Sequence, residues 1–371
     1  MLVSTALLFG SMHLLTPVLP LFALSVGAEP TAVGWLVGAF SASALATRPY
    51  AGSASDRLGR RPVFLIGTAV FTVSALLYLA AESIATLLAV RVIQGAGLAL
   101  FVAGAYALVA DIVPPRRRGE GLGLYSLALL LGMAVAPPLA VPLQDSLGFD
   151  GLFLIAAVSA AGSFIVALTV EERRQPRRRA GGVGFLGIAK QRWLLIPSLA
   201  LVSGAVTFGA ILSYLPLFTA EREAGNVGVF FSVYAVGTLL TRWPIGRLSD
   251  KVGRLQVMVP GLLILFLTML LLSRLSSQTE LVVVALLYSI SFGSLLPIVT
   301  AMVVDRAPDE VRGVALSVST ASFDLGIGLG SVAFGLVGSA VGYANMYLAA
   351  GLVCILGAGQ LALWDPRAHR R

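Results

Sequence analysis

The sequence predicts an all-α membrane protein whose twelve transmembrane helices form two pseudo-symmetric six-helix bundles. Three observations support this prediction: the hydropathy of the chain, the distribution of basic residues among its loops, and an internal repeat. Of the 371 residues, 57% are apolar and only 12% are charged, which is about half the charged share of a soluble domain. The mean hydropathy of +0.91 indicates that lipid solvates most of the surface.

Apolar runs of about 20 residues are long enough to cross the roughly 30 Å hydrocarbon layer as helices. The first run has no basic leader and no small-residue cleavage site, so we expect no signal peptide. Between charged residues and Gly/Pro punctuation, the runs lie near 1–25, 31–53, 63–81, 84–111, 121–143, 150–170, 193–219, 226–246, 257–273, 279–304, 313–336 and 342–364.

The basic residues test this count, because successive loops fall alternately on the two sides of the membrane. Of the 26 Lys and Arg residues, 21 fall on one side. Two fall on the other, Arg222 and Arg274, and three lie within spans, Arg48, Arg91 and Arg242. The positive-inside rule then predicts a plasma-membrane or inner-membrane protein with both termini in the cytoplasm. The net charge of +8 is therefore a topology signal, and we expect no nucleic-acid partner.

The longest connection between spans divides the chain into two domains. It covers residues 171–192, is basic and glycine-rich, and follows the sixth span. We interpret it as a cytoplasmic linker between an N-terminal bundle, residues 1–170, and a C-terminal bundle, residues 193–371. Its arginines also favour contact with anionic lipid headgroups.

The two halves repeat at an offset of 194 residues. The stretches "ALATRPYAGSASDRLGRRPVFLIG" (44–67) and "TLLTRWPIGRLSDKVGRLQVMVPG" (238–261) match at ten of 24 positions without a gap. Six spans per copy preserve the orientation of each half. The repeat is therefore parallel, about an axis along the membrane normal.

A known family shares these features. The stretch "GSASDRLGRR" (52–61) matches G-x-x-x-D-R-x-G-R-[RK], the motif between spans 2 and 3 of the major facilitator superfamily, and "GRLSDKVGR" (246–254) is its second copy. With twelve spans, the chain resembles a transporter of this family over its whole length, and the drug/proton antiporters in particular. The resemblance implies a monomeric transporter, not an enzyme, whose partners are a small-molecule substrate, protons and the lipid bilayer.

The resemblance also implies a role for the charged loops. Asp56 would face the start of span 11, and Asp250 the start of span 5, where a helix N-terminus stabilises a carboxylate. Arg60 and Arg254 would reach carboxylates at the ends of spans 4 and 10. These contacts predict two cytoplasmic latches that favour the outward-open state. The predicted latch residues are Asp56, Arg57, Arg60, Asp111, Asp250, Lys251, Arg254 and Asp305.

Charge deep within a span requires an explanation, since it costs about 2.5–3.5 kcal/mol on insertion scales. Asp324 in "FDLGIGLG" (323–330) lies near mid-membrane, and its equivalent in the first half is Leu130. Flanking glycines allow close helix approach, and a carboxyl in that setting suits binding and release of a proton. A structural role, as a protonated Asp bonded to a neighbouring helix, is the alternative.

Two further polar positions lie within spans. "RVIQGAG" (91–97) in span 4 resembles the R-x-x-Q-G-x-G motif linked to proton transfer in exporters of this family, which assigns Arg91 and Gln94. His13 lies in the middle of span 1, where histidine can titrate across a physiological gradient. Either residue also has a structural interpretation, as a tie to backbone carbonyls or a satisfied donor. Arg48 and its equivalent Arg242 are interpreted as interfacial residues that snorkel to the cytoplasmic surface.

Together these observations predict a proton-coupled secondary transporter that exports a small organic or amphiphilic solute by alternating access. Span 5 carries part of the exporters' G-x-x-x-G-P-x-x-G motif, at Gly132 and Pro137. No nucleotide-binding loop is present, and the single cysteine, Cys354, excludes thiolate metal sites within one chain. We expect no cofactor and no metal. The alternatives are a metallophore or siderophore exporter, a proton symporter importing a sugar or organic acid, and a membrane sensor with the same fold.

Overall fold

The computed structural model describes residues 1–113, 118–171, 185–308 and 311–364. Within these ranges it leaves out the side chains of Asp56, 110–111, 118–124, 185–186 and 312–313. The described part of the chain is almost entirely helical, and it contains no strand. The predicted all-α fold class is confirmed.

The described helices account for twelve spans. Seven are long and apolar enough to cross a membrane, and the bent pair of span 1 makes eight. Two of the seven contain two spans each, and the more polar spans 2 and 8 complete the set. The bounds are Leu2–Leu15 with Leu19–Ser25 (span 1), Pro30–Arg57 (2), Arg60–Leu77 (3), Ile84–Ile112 (4), Arg118–Leu168 (5 and 6), Arg192–Glu221 (7), Val227–Val252 (8), Arg254–Leu272 (9), Gln278–Arg306 (10) and Arg312–Ala362 (11 and 12), with a short helix Phe185–Ala189 before span 7.

Glycines in the left-handed backbone region mark corresponding turns in the two halves. Gly148 (φ 72°) joins spans 5 and 6, and Gly342 (φ 81°) joins spans 11 and 12. Gly59 (φ 110°) and Gly253 (φ 109°) form the turns of the two charged loops. Each pair is separated by the 194-residue offset of the repeat. Because side chains with a Cβ rarely adopt such φ values, these turns require glycine.

Span 1 differs from the single helix that its apolar run predicts. The helix breaks between Leu15 and Leu19, and its two parts meet at 42°. Pro17 and Pro20 cause the break, because proline lacks the N–H that would continue the helical hydrogen bonds. Across the break, Val18 N–H bonds to the Leu15 carbonyl at 3.2 Å, a tighter turn than an α-helix makes.

We call the end of the molecule with the turns at Gly59 and Gly253 the charged end, and the opposite end the far end. At the charged end Arg61 donates to the Val170 carbonyl at 2.6 Å, so span 3 begins where span 6 finishes. The halves meet along two helix pairs, span 2 with span 11 and span 8 with span 5. One buried apolar cluster continues across both bundles.

Candidate functional site

A cavity of about 300 Å³ lies between the two bundles. Spans 1, 2, 4 and 5 line it from one side, and spans 7, 8 and 11 from the other. Most of its wall is apolar, and His13, Arg48, Arg91 and Asp324 interrupt that surface. The volume lies at the lower end of the range for small-molecule pockets. This is the candidate functional site.

An ion pair crosses the cavity from one bundle to the other. Arg48 of span 2 donates from Nε to Asp324 Oδ2 of span 11 at 2.5 Å. The side chains are 27% and 16% exposed, so both charges are largely withdrawn from water. Charges in such surroundings are stabilised by pairing with one another. The pair therefore links the protonation of one carboxyl to the relative position of the two bundles.

The structure corrects the interpretation of Arg48 as an interfacial, snorkelling residue. Its guanidinium points into the cavity and binds a carboxylate 276 positions away in sequence. The sequence shows that Arg48 and Arg242 correspond in the repeat and that Asp324 corresponds to Leu130, but it does not show that Arg48 and Asp324 meet. Only one of the two equivalent arginines therefore has an acidic partner at that position.

Arg91 and Gln94 lie together within the N-terminal bundle, as their motif predicts. Arg91 donates from Nε to the Leu36 carbonyl at 3.2 Å and from Nη1 to Gln94 Oε1 at 2.8 Å. Its guanidinium lies 4.5 Å from the centre of the Phe40 ring. The fully buried Gln94 also accepts from Tyr78 Oη at 2.8 Å. These contacts tie span 4 to span 2 and hold the Arg91 guanidinium at the cavity wall.

His13 lies at the cavity just before the break in span 1. Its side chain is 7% exposed, and its ring centre is 6.0 Å from that of Phe9. Its Nδ1 has no hydrogen-bond partner among the described residues. The structure thus places His13 at the cavity, where its Nδ1 bonds to neither member of the Arg48–Asp324 pair, and its part in coupling stays a prediction.

The charged end shows contacts within the bundles. Arg254 donates to Ser249 Oγ at 2.7 Å and to Asp305 Oδ2 at 3.3 Å, and it also pairs with Asp250. Arg60 donates to the Ala107 carbonyl at 3.0 Å. Arg254 therefore ties span 9 to span 10, the pairing that the sequence predicts for it.

The predicted latch between the bundles involves side chains at the charged end that lie partly outside the described residues. The side chains of Asp56 and Asp111 lie outside the described residues, as do those at the starts of spans 5 and 11. Asp250 is 61% exposed, and Arg57 and Lys251 are exposed as well. The latch role of all eight residues stays a prediction.

At the far end the bundles approach closely at small residues. A Cβ on Gly34 would overlap the Ser331 carbonyl and the Tyr214 hydroxyl. In the other helix pair, a Cβ on Gly228 would overlap the backbone of Pro137. Nearer the charged end of the same spans, no described atom lies within 4 Å of a Cβ on Gly52 or Gly246. The bundles are thus closed at the far end.

Two polar contacts reinforce the far-end closure between spans 8 and 5. Ser232 donates to the Ala134 carbonyl at 2.5 Å, and Asn226 Nδ2 donates to the Pro138 carbonyl at 3.3 Å. Each acceptor lies four residues before a proline of span 5, Pro138 or Pro142, which has no N–H to donate to it. The prolines therefore free carbonyl groups that the other bundle uses.

Comparison with known proteins gives one consistent result. The family model of the Major Facilitator Superfamily matches residues 1–226 and 223–371. The Staphylopine export protein of Staphylococcus aureus is 24% identical, over 95% of this chain and 92% of that protein. Multidrug resistance protein MdtG of Escherichia coli is 26% identical, over 98% and 92%. A solved structure of a bacterial homologue of the human lysosomal transporter Spinster superposes with a TM-score of 0.78 at 18% identity, covering 98% and 97% of the chains.

Proposed function

The chain belongs to the Major Facilitator Superfamily, a family of multi-pass membrane transporters and not of enzymes, and we propose that it is a proton-coupled exporter. It moves a small organic or amphiphilic solute by alternating access, as a monomer in a plasma or inner membrane. The proton gradient drives it, no cofactor takes part, and the charged end with both termini faces the cytoplasm.

The observation that carries this proposal is the Arg48–Asp324 ion pair. A carboxylate that binds an arginine of the other bundle favours the arrangement in which the two groups touch. Protonation of Asp324 removes its charge and with it most of the attraction. A proton that binds Asp324 therefore favours the conformation in which the ion pair is broken. The size of this shift is set by the difference in proton affinity between the two conformations.

The order of events in the transport cycle follows from the different proton affinity of Asp324 in the two conformations. With the far end closed, the cavity takes up solute from the charged end while Asp324 is ionised and bound to Arg48. Opening of the far end exposes Asp324 to the higher proton concentration outside, and protonation then accompanies release of the solute. Return to the far-end-closed state delivers the proton to the cytoplasm, and the ion pair forms again.

Similarity supports the outward direction of transport. The relatives named for export of staphylopine and for multidrug resistance align over nearly their whole lengths. The partial exporter motif of span 5 lies where Pro137 meets Gly228 of the other bundle. Export is therefore favoured over the symport alternative.

Export of a metallophore is a second candidate, and the similarity to the Staphylopine export protein favours it. Among the described residues no group of three or more His, Cys, Asp or Glu side chains comes together. In this candidate the solute, and not the cavity wall, would hold the metal. Release of a chelator from cells, compared with and without the gene, separates it from general amphiphile export.

The experiment that tests proton coupling uses proteoliposomes with an acidic lumen. An antiporter accumulates solute in these vesicles as protons leave, whereas a symporter requires the acidic side to be outside. A panel of amphiphiles of both charges is offered, and uptake is measured with and without a protonophore. We expect Asp324→Asn to lose gradient-driven accumulation and Asp150→Asn, at the far end, to keep it. Full accumulation by Asp324→Asn would refute the coupling role.

A further inference from the structure

We propose that the transported solute is an organic anion whose acidic group binds Arg91, with its apolar body in the central cavity. This inference rests on the proposed transport function and specifies its substrate class. It follows from the balance of charges at the cavity wall and from the geometry of the Arg91 guanidinium.

The membrane interior of this chain holds more arginine than it can neutralise. Among the described residues, Asp324 is the one Asp or Glu that lies deep within a span. Asp324 is already bound to Arg48 at 2.5 Å. Arg91, seven residues into span 4, has no carboxylate partner among the described residues. The cavity therefore carries one positive charge in excess.

The contacts of Arg91 leave part of its guanidinium available. Nε and Nη1 each donate one hydrogen bond, to the Leu36 carbonyl and to Gln94. The Tyr78 hydroxyl also lies beside the guanidinium, on the side of Gln94 to which it donates. Among the hydrogen-bond distances of the described residues none involves Nη2, and the side chain lines the cavity. Guanidinium groups bind carboxylate, sulfonate and phosphate oxygens in strong, charge-assisted hydrogen bonds. An anion bound at Nη2 would supply the negative charge that no described carboxylate provides to Arg91.

The surroundings of Arg91 fit an amphiphile better than a small inorganic anion. Phe40 lies against the guanidinium, and apolar side chains of both bundles continue the wall, including Met133, Phe208, Leu212 and Phe323. Such a surface binds an apolar body through area removed from water. The fixed bonds to Leu36 and Gln94 hold the guanidinium in place, which lowers the entropic cost of binding.

A cationic solute meets the opposite situation. It would approach an uncompensated guanidinium in a region of low dielectric, where like charges repel strongly. Its one candidate partner, Asp324, is engaged with Arg48 in the far-end-closed arrangement. The charge pattern therefore selects against cations as well as for anions.

Three probes with the same apolar body test the charge preference: 4-phenylbutanoate, 4-phenylbutanol and 4-phenylbutylamine. Each is added to the full-length protein in lipid nanodiscs, and thermal unfolding is followed, because a ligand that binds the folded state raises Tm. We expect a saturable rise with the anion and little or none with the alcohol or the amine. Equal stabilisation by the anion and the alcohol would overturn the inference.

Substitutions then locate the anion. Arg91→Gln keeps a donor for the Leu36 carbonyl but removes the charge, and we expect it to weaken 4-phenylbutanoate binding about 10- to 100-fold. Arg91→Lys keeps the charge and should lose less. Arg274→Gln, at the far end, is the control and should bind as the wild type. Unaltered binding by a folded Arg91→Gln protein would show that Arg91 is only a structural tie.

A membrane potential gives a separate readout. One-for-one exchange of a monovalent anion for a proton moves net charge, whereas exchange of a monovalent cation for a proton does not. In acid-inside proteoliposomes we therefore expect uptake of 4-phenylbutanoate to depend on an imposed potassium diffusion potential. Accumulation of the amine instead, above the passive trapping of this weak base that protein-free acid-inside vesicles show, would leave transport intact and refute the anion assignment. Anion binding that requires Arg91, without any flux, would keep the site and refute the proposed transport function.

Discussion

The contact of span 2 with span 11 and the contact of span 8 with span 5 are equivalent in the repeat, yet they differ in the polar contacts that they make. At the far end their closest approaches correspond: Gly34 meets Ser331, and Gly228 meets Pro137, each partner displaced by 194 positions. Nearer mid-membrane, Arg48 binds Asp324, whereas the equivalent positions hold Arg242 and Leu130.

This difference separates architecture from chemistry. The close helix approach at the far end recurs in both interfaces because each half builds the same surface from small residues. The ion pair occurs in one interface only, so the fold does not require it. Charge in a span that the symmetry of the fold does not explain is then the natural candidate for function.

The largest expected effect comes from removing that difference. Asp324→Leu makes the first interface chemically like the second and leaves Arg48 without its partner. We expect loss of gradient-driven transport and a decrease of about 1–3 kcal/mol in the free energy of unfolding, below the figure for a fully buried pair because both side chains border the cavity. Denaturant unfolding and proteoliposome flux measure the two effects.

The double variant Arg48→Leu/Asp324→Leu sharpens this test. It removes both charges, so stability should return toward the wild-type value while transport stays absent. Recovery of transport by the double variant would mean that the pair is a packing element and has no part in coupling.

An intermediate effect is expected at the far-end glycine contacts, which the two interfaces share. Gly34→Ala and Gly228→Ala each place a Cβ against backbone of the other bundle. Such overpacking costs about 1–3 kcal/mol. Because it destabilises only the far-end-closed state, both variants should shift the protein toward far-end opening. The rate of maleimide labelling of a cysteine at Thr31, in a Cys354→Ala background, reports this shift.

Gly52→Ala is the matched control for these variants, because a Cβ there meets nothing within 4 Å. Its labelling rate should equal that of the unsubstituted background. Markedly different responses of Gly34→Ala and Gly228→Ala would show that the two far-end contacts are not energetically equivalent.

The smallest effect is expected at Ser232, whose equivalent in the first half is Gly38. Ser232→Ala removes the hydrogen bond to the Ala134 carbonyl and makes the second interface more like the first. A loss of about 0.5–1.5 kcal/mol is expected, visible as a modest decrease in Tm. Ser339→Ala, which removes only a local bond to Leu336, controls for the substitution itself.

The parts of this fold that depend on local sequence could be predicted. Hydropathy, basic loops and the 194-residue offset give the twelve spans, and Gly59 and Gly253 take the strained turns that their motif requires. The break in span 1 went unpredicted, although Pro17 and Pro20 were visible. An apolar run of about 20 residues indicates that a segment crosses the membrane. It does not indicate whether the helix is straight or bent.

The parts that depend on contacts between bundles could not be predicted. Asp324, Arg91 and His13 were identified because charge or polarity within a span is costly. The partner of Asp324 was missed because Arg48 also fits a snorkelling position near the charged end. Only the packing of span 2 against span 11 brings residues 276 positions apart together. Small residues at the far end give no sequence signal that distinguishes this contact from ordinary helix packing.

The glycine contacts at the far end have a mechanical consequence. They act as a fulcrum close to one tip of each long helix, and the rest of the helix is the lever arm. From Gly34 to Arg57 span 2 continues for 23 residues, about 35 Å at 1.5 Å per residue. A tilt of about ten degrees at the fulcrum would displace the other tip by about 6 Å, so a movement too small to disturb the packing at the glycines is enough to open a passage for a small molecule.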